Sequence, residues 1–257
     1  MTLLSAFVVA TAASFAAFQL RALKASGALA ATIVGTAVVG GTGWPGLAML
    51  GVFFAGATAI SHAAPDVGAG FDAKGARRDW VQVMANGGAA ALGAWHPEAG
   101  VWVVSAALAA AAADTWATSS GGWSRIWPRH VLTGVTVPPG TSGGVTWLGS
   151  LGALAGAASV GAAGLIVGQT VLLFPLAVAV GMLGMLLDSV LGAGVQGRYH
   201  CDHCDRDTER HRHACGQVAR RVGGHAWITN DAVNAMATGA AALLGWAAWA
   251  WWNGQTP

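Results

Sequence analysis

The sequence predicts an all-α fold, a polytopic transmembrane bundle of about eight spans with both termini outside. Three observations point there. Hydrophobic residues make up 54% of the 257 and charged residues 9%, against about a quarter charged in a soluble domain. Mean hydropathy is +0.54. All 13 Lys and Arg fall in loops that an eight-span chain would place on one side. So few charges cannot cover a water-facing surface, which excludes the soluble classes. Thirteen Trp and 38 Gly agree, because Trp anchors interfaces and Gly lets membrane helices approach closely.

The predicted spans are 3–20, 27–42, 45–61, 80–95, 100–115, 145–167, 170–195 and 231–252, each near the roughly 17 to 25 residues that a crossing needs. The first has no basic flank before it and no cleavage site after it, so it reads as a span and not as a signal peptide. The second is short, which leaves tilting and re-entry both open. The remaining boundaries follow the polar interruptions. "GWP" (43–45), "HPEA" (96–99) and "GQ" (168–169) are short connections on one side. Loops 21–26, 62–79, 116–144 and 196–230 lie on the other, with Arg21, Lys24, Lys74, Arg77, Arg78, Arg125, Arg129, Arg198, Arg206, Arg210, Arg212, Arg220 and Arg221. A wrong span count would scatter these cations over both faces. By the positive-inside rule the long loops are cytoplasmic. The chain reads as one membrane domain, 1–257, with a Cys/His-containing cytoplasmic loop at 196–230.

The polar residues collect on that same face. Ten of the eleven acids belong to it, and only Glu98 does not. Polar groups at membrane-helix ends are costly unless satisfied, so they are functional candidates; simple neutralisation at the interface is the alternative. "FDAKGARRDWVQVMANGG" (71–88) sets Lys74, Arg77 and Arg78 before a span and Gln82 and Asn86 one turn apart on it. Such cations bind phosphate or lipid head groups, or merely anchor the helix.

"AALAAAAADTWATSSGG" (106–122) carries an apolar run to Asp114, with Thr115 and Thr118 following. "LLDSVLGAGVQGRY" (186–199) repeats the theme with Asp188, Ser189 and Gln196. "WITNDAVNAM" (227–236) sets Asn230, Asp231 and Asn234 at the start of the last span. Asp114, Asp188 and Asp231 are hard oxygen ligands at one depth, a set suited to Mg²⁺ with bridging phosphates. "VPPGTSGGVTWLGS" (137–150) is a Pro-Pro turn into a Gly-rich loop that opens a helix. Gly140, Thr141, Ser142, Gly143 and Gly144 could offer N–H and hydroxyl donors to an anion. The Lys-Ser/Thr of a Walker loop is absent, and close helix packing would equally explain the glycines.

"YHCDHCDRDTERHRHACGQ" (199–217) holds Cys201, Cys204 and Cys215, with His211 and His213 available as a fourth ligand. The spacing resembles a zinc knuckle, with His213 completing the set; free thiols in a solvated loop are the alternative. A cytoplasmic position argues against disulfides.

Taken in order, "KGARRDWVQVMANGG", "ADTWATSSGG", "VPPGTSGGVTWLGSLGALAG", "LLDSVLGAGVQGRYHC" and "NDAVN" resemble the integral membrane family called domain of unknown function ninety-two, which includes the plant phytyl-phosphate kinase. The resemblance runs over about residues 27 to 245, nearly the whole chain. It implies a multi-span enzyme of the cell membrane that phosphorylates a prenyl monophosphate to the diphosphate, using Mg²⁺ and a nucleoside triphosphate, with CTP favoured. A distant similarity to CTP-dependent polyprenol kinases implies a nucleotide site at Asp114, Thr115, Thr118 and the 140–144 loop. In "TSSGG" the family usually carries an acid in place of Ser119 or Ser120, so one expected carboxylate is missing. The expected partners are the nucleotide, the prenyl phosphate and the bilayer, with no nucleic acid. A transporter or flippase for an anionic lipid or small anion is the competing reading, although its polar groups should lie nearer the midplane.

Overall fold

The computed structural model describes residues 1–65 and 77–255. Among these, eight α-helices follow one another: α1 (Leu3–Gln19), α2 (Ala25–Thr42), α3 (Trp44–Ala63), α4 (Trp80–Gly93), α5 (Gly100–Gly121), α6 (Trp147–Ile166), α7 (Leu173–Gly194) and α8 (Asn230–Gln255). Five of them, α2, α3, α5, α6 and α7, are long and apolar enough to cross a membrane. The second predicted span is thus an 18-residue helix of crossing length. At 14 residues, α4 is about 21 Å long and falls short of the roughly 30 Å hydrocarbon core. Each of the eight predicted spans corresponds to one helix.

The helices alternate in direction. Gly35 of α2 lies against Ala10 of α1, and Gly40 lies against Leu3. On α6, Gly149 and Gly156 face the Ala117 and Ala112 carbonyls of α5 in reversed order. Both pairs are antiparallel, so the long loops gather at one end of the bundle.

At the centre stands α5, from Ser105 to Ala113 fully enclosed and in contact with α3, α4, α6, α7 and α8. A helix so surrounded by others cannot carry large side chains on every side, which accounts for its alanine run. The neighbours supply glycines at the crossings. A Cβ on Gly156 would lie 2.7 Å from the Ala112 carbonyl oxygen, and one on Gly245 of α8 would lie 2.7 Å from that of Trp102. With no hydrophobic force between helices in lipid, such close backbone approach holds the bundle together. On the far side of α4, the buried Thr238 hydroxyl of α8 donates to the Ala85 carbonyl at 2.8 Å.

Two small sheets, absent from the predicted all-α fold, sit in the long loops. β1 (Arg129–His130) pairs with β2 (Gly144–Val145), antiparallel, and closes the 131–143 loop. In the Cys/His loop, β3 (Arg198–Cys201) lies between β4 (Arg206–Thr208) and β5 (Arg220–Gly223), antiparallel to both. Short strands within a polar loop leave no hydropathy signal.

One boundary changes the chemistry. The fifth span was expected to end at 115, but α5 continues to Gly121 because Ser119 and Ser120 are buried in the helix. Asp114 therefore lies about two turns inside the helix and not at its end.

Candidate carboxylate site and cysteine cluster

The site starts from a packing repeat. Helices α5 and α7 run parallel, with Gly184 seated on Ala110. One turn later on each helix the same register brings Asp114 level with Asp188. Their charges reach one another, and Glu209 of the Cys/His loop also lies within electrostatic reach of Asp188. Oδ2 of Asp188 is buried and has no hydrogen-bond partner among the described residues. Buried polar atoms are almost always paired, so an oxygen left over beside two further carboxylates is one that could hold a cation. The donors are all hard oxygens, which suits Mg²⁺. Thr115 is half-buried beside Asp114, and Thr118 is exposed one turn on. Asp231 lies in the first turn of α8 at the same end of the bundle, but it is not among the carboxylates whose charge acts on Asp188.

The Gly-rich loop packs on the C-terminal part of α7. Gly143 has φ 76°, and a Cβ there would collide with Ala193 and lie 2.9 Å from the Ser189 carbonyl oxygen. Gly140, at φ 88°, turns the chain after the prolines. Close packing on α7 thus accounts for Gly143. The loop contributes Ser142, whose hydroxyl donates to Glu209 and accepts from Gln196 Nε2 at 3.4 Å. Thr141 donates back to Pro138, and Gly144 N–H is bound to the Thr141 carbonyl. The N-terminus of α6 is capped by Thr146, whose hydroxyl oxygen accepts from Gly149 N–H at 2.9 Å. Ser189 donates to the Met185 sulfur at 3.9 Å.

The cationic stretch is built differently from the expectation. Lys74 lies outside the described residues. Arg77 donates to the Leu23 carbonyl at 3.0 Å, and Arg78 donates to Thr58 Oγ1 at 3.1 Å with its guanidinium over the Phe54 ring. Burial against α3 lowers the Arg78 pKa from the usual guanidinium value. Both arginines brace the entry to α4 against the α1–α2 turn and α3. Ser61, one turn beyond Thr58, lies 3.5 Å from Ser119 of α5 at the hydroxyls, so this brace adjoins the site end of the bundle.

Gln82 and Asn86, read as substrate-facing polar groups, are engaged locally. Asp79 and Gln82 form a capping box, each side chain accepting from the other's backbone N–H, at 3.2 and 3.1 Å. Asn86 donates to the Gln82 carbonyl at 2.9 Å. A salt bridge of 3.6 Å ties Lys24 to Asp79. Gln82→Ala should cost about 1 kcal/mol in detergent thermal unfolding without changing any activity measured at saturating substrate. An activity loss at unchanged stability would return Gln82 to the site. Asn234 is buried on α8 and its carbonyl accepts from Thr238, whereas Asn230 is exposed at the helix start.

In the 196–230 loop, Cys201, Cys204, His213 and Cys215 present one ligand atom each, all within 4.8 Å of one another. Cys201 and Cys215 sulfurs are 3.7 Å apart, and His213 Nδ1 is 3.2 Å from the Cys215 sulfur. The His213 hydrogen bond pulls Cys215 down to about 6, while bonding to Cys215 pushes Cys204 up to about 11. His211 instead stacks edge-on against Tyr199, with ring centroids 5.9 Å apart.

The profile of the family described as Integral membrane protein DUF92 matches residues 8–242. The chain belongs to this family. It is 27% identical to Protein PGR of Arabidopsis thaliana over 266 aligned positions, covering 90% of this chain and 91% of the relative. No solved structure matches. In this DUF92 protein Ser119 and Ser120 of "TSSGG" are buried at the end of α5. Ser120 faces Gly152 of α6, and the third carboxylate near Asp188 is Glu209, almost a hundred positions along the chain. Sequence reasoning missed Glu209. Its signal in the sequence is an acid inside the Cys/His loop, between Cys204 and His213.

Proposed function

We propose that this DUF92 protein is a Mg²⁺-dependent kinase that transfers a phosphoryl group from a nucleoside triphosphate, CTP favoured, to a prenyl monophosphate. The observation that carries the reading is the buried Asp188 oxygen, without a partner among the described residues, with Asp114 and Glu209 close enough for their charges to act on it, at one end of a membrane bundle. Asp114, Asp188 and Glu209 would hold the Mg²⁺, which supplies charge neutralisation to the nucleotide phosphates. Ser142 and Gln196 orient Glu209 from the loop side. An oxygen of the acceptor phosphate forms a bond to the terminal phosphorus of the nucleotide, and the bridging P–O bond breaks to release the diphosphate nucleotide. The acceptor is already ionised, so no general base is needed; positioning and charge neutralisation carry the step. The prenyl tail lies among the Gly/Ala-rich helices, in the cell membrane, with the site facing the cytoplasm.

The test is incubation of purified protein with a prenyl monophosphate, Mg²⁺ and either CTP or ATP, reading diphosphate by mass spectrometry. Diphosphate that disappears on chelation of Mg²⁺ supports the kinase. No product with any donor, together with prenyl phosphate or anion flux in proteoliposomes without nucleotide, replaces it with the transporter.

A further inference from the structure

We infer that Cys201, Cys204, His213 and Cys215 form a structural Zn²⁺ site, and that its ion holds the small sheet that delivers Glu209 to Asp188. Zinc binding stands apart from the kinase reading; the role of Glu209 beside a second cation rests on it.

The geometry is that of a tetrahedral clip. Two thiolates on one Zn²⁺ at about 2.3 Å each stand about 3.8 Å apart, and the Cys201 and Cys215 sulfurs are 3.7 Å apart. The ligands come from two tight turns of the kind a clip requires. In the first, Cys204 N–H is bound to the Cys201 carbonyl at 3.2 Å, and Asp205 follows in the left-handed region at φ 52°. In the second, Gly216 N–H is bound to the His213 carbonyl at 2.9 Å, and Gly216 has φ 88°. A non-glycine residue held left-handed costs energy that the turn must recover elsewhere.

The unit otherwise has little to hold it. Among the described residues its apolar core is Tyr199, Cys201 and Ala219, with Cys204 against them. Such a core is too small to order a three-stranded sheet in water, and small units of this kind use a metal instead. Glu209 follows β4 directly and lies between the two ligand turns, where its carboxylate accepts from Ser142. Opening the turns would release the chain on both sides of it.

The first readout is metal content of the full-length protein purified without chelator. One zinc per chain is expected, removable only by a mercurial with chelator. Cobalt exchange should give the intense thiolate charge-transfer and visible bands of a tetrahedral site. Cys201→Ser and His213→Ala should lose the metal; because these variants can misfold, the cobalt spectrum of the wild type stands as the independent readout. Zinc-free protein whose three thiols all react in the native state overturns the clip. The second readout is Mn²⁺ binding followed by electron paramagnetic resonance, since thiolates compete poorly for Mn²⁺. Stripping zinc should weaken Mn²⁺ binding at least about 10-fold, and zinc should restore it. Equal Mn²⁺ affinity with and without zinc overturns the role of Glu209 while zinc content still judges the clip. No Mn²⁺ binding to the zinc-loaded protein overturns the carboxylate site itself.

Discussion

Asp188→Asn should lower diphosphate formation by about 10²- to 10³-fold or more while leaving the metal-free protein at least as heat-resistant as the parent. The two effects have one cause. Asp188 places a carboxylate where Asp114 and Glu209 also project charge, and one of its oxygens has no hydrogen-bond partner among the described residues. Without a cation this costs stability, since an unsatisfied buried polar group costs about 1–3 kcal/mol and like charges add to it. An asparagine of the same shape carries no charge and brings an amide that donates to a neighbouring carboxylate. With Mg²⁺ the order should reverse: the parent gains thermal stability with added metal, and the variant gains less. Diphosphate assays and thermal unfolding, each with and without Mg²⁺, measure both halves. Full activity in Asp188→Asn, or a lost fold in the absence of metal, would remove Asp188 from the site.

Gly156→Val should destabilise the detergent-solubilised protein more than any single polar change at the site. Its Cβ would lie 2.7 Å from the Ala112 carbonyl oxygen and 2.9 Å from the Trp116 ring, neither of which can yield without moving α5. Overpacking a dense interior costs about 1–3 kcal/mol, and more where backbone is the obstacle. The displaced segment of α5 includes Asp114, so activity should fall with stability. By contrast, Gly51→Ala, with open space around the added Cβ, should change neither. Size-exclusion profiles and melting curves of the two variants make the comparison. Equal melting temperatures would mean that α5 and α6 are not held by this contact.

The helices were legible because a membrane crossing imposes length and apolarity, and both can be counted along a chain. Asp114 and Asp188 were legible for the same reason, as charges amid long apolar runs. The capping box was also written in the sequence, as Asp79 and Gln82 three residues apart before an apolar run; a functional reading displaced the simpler one. The Cys/His set, His213 included, was legible by spacing, and the fold supplies the reason His211 stands aside: Tyr199 takes its ring, while Cys215 takes that of His213. The true end of α5 was not legible. Ser119 and Ser120 are polar by type, and only burial against neighbouring helices keeps them helical.

The sequence by itself determined that this is a multi-span membrane protein, where its helices lie, and that its acids and bases gather at one end. Those properties depend on composition and periodicity, which are local. The tertiary structure decided which polar groups meet. The parallel contact of α5 and α7 sets Asp114 against Asp188, the turn of the Cys/His loop brings in Glu209, and the bracing of Arg78 by α3 commits a cation expected for phosphate. These pairings join residues tens of positions apart through close backbone packing, and no local pattern records which helix will lie beside which.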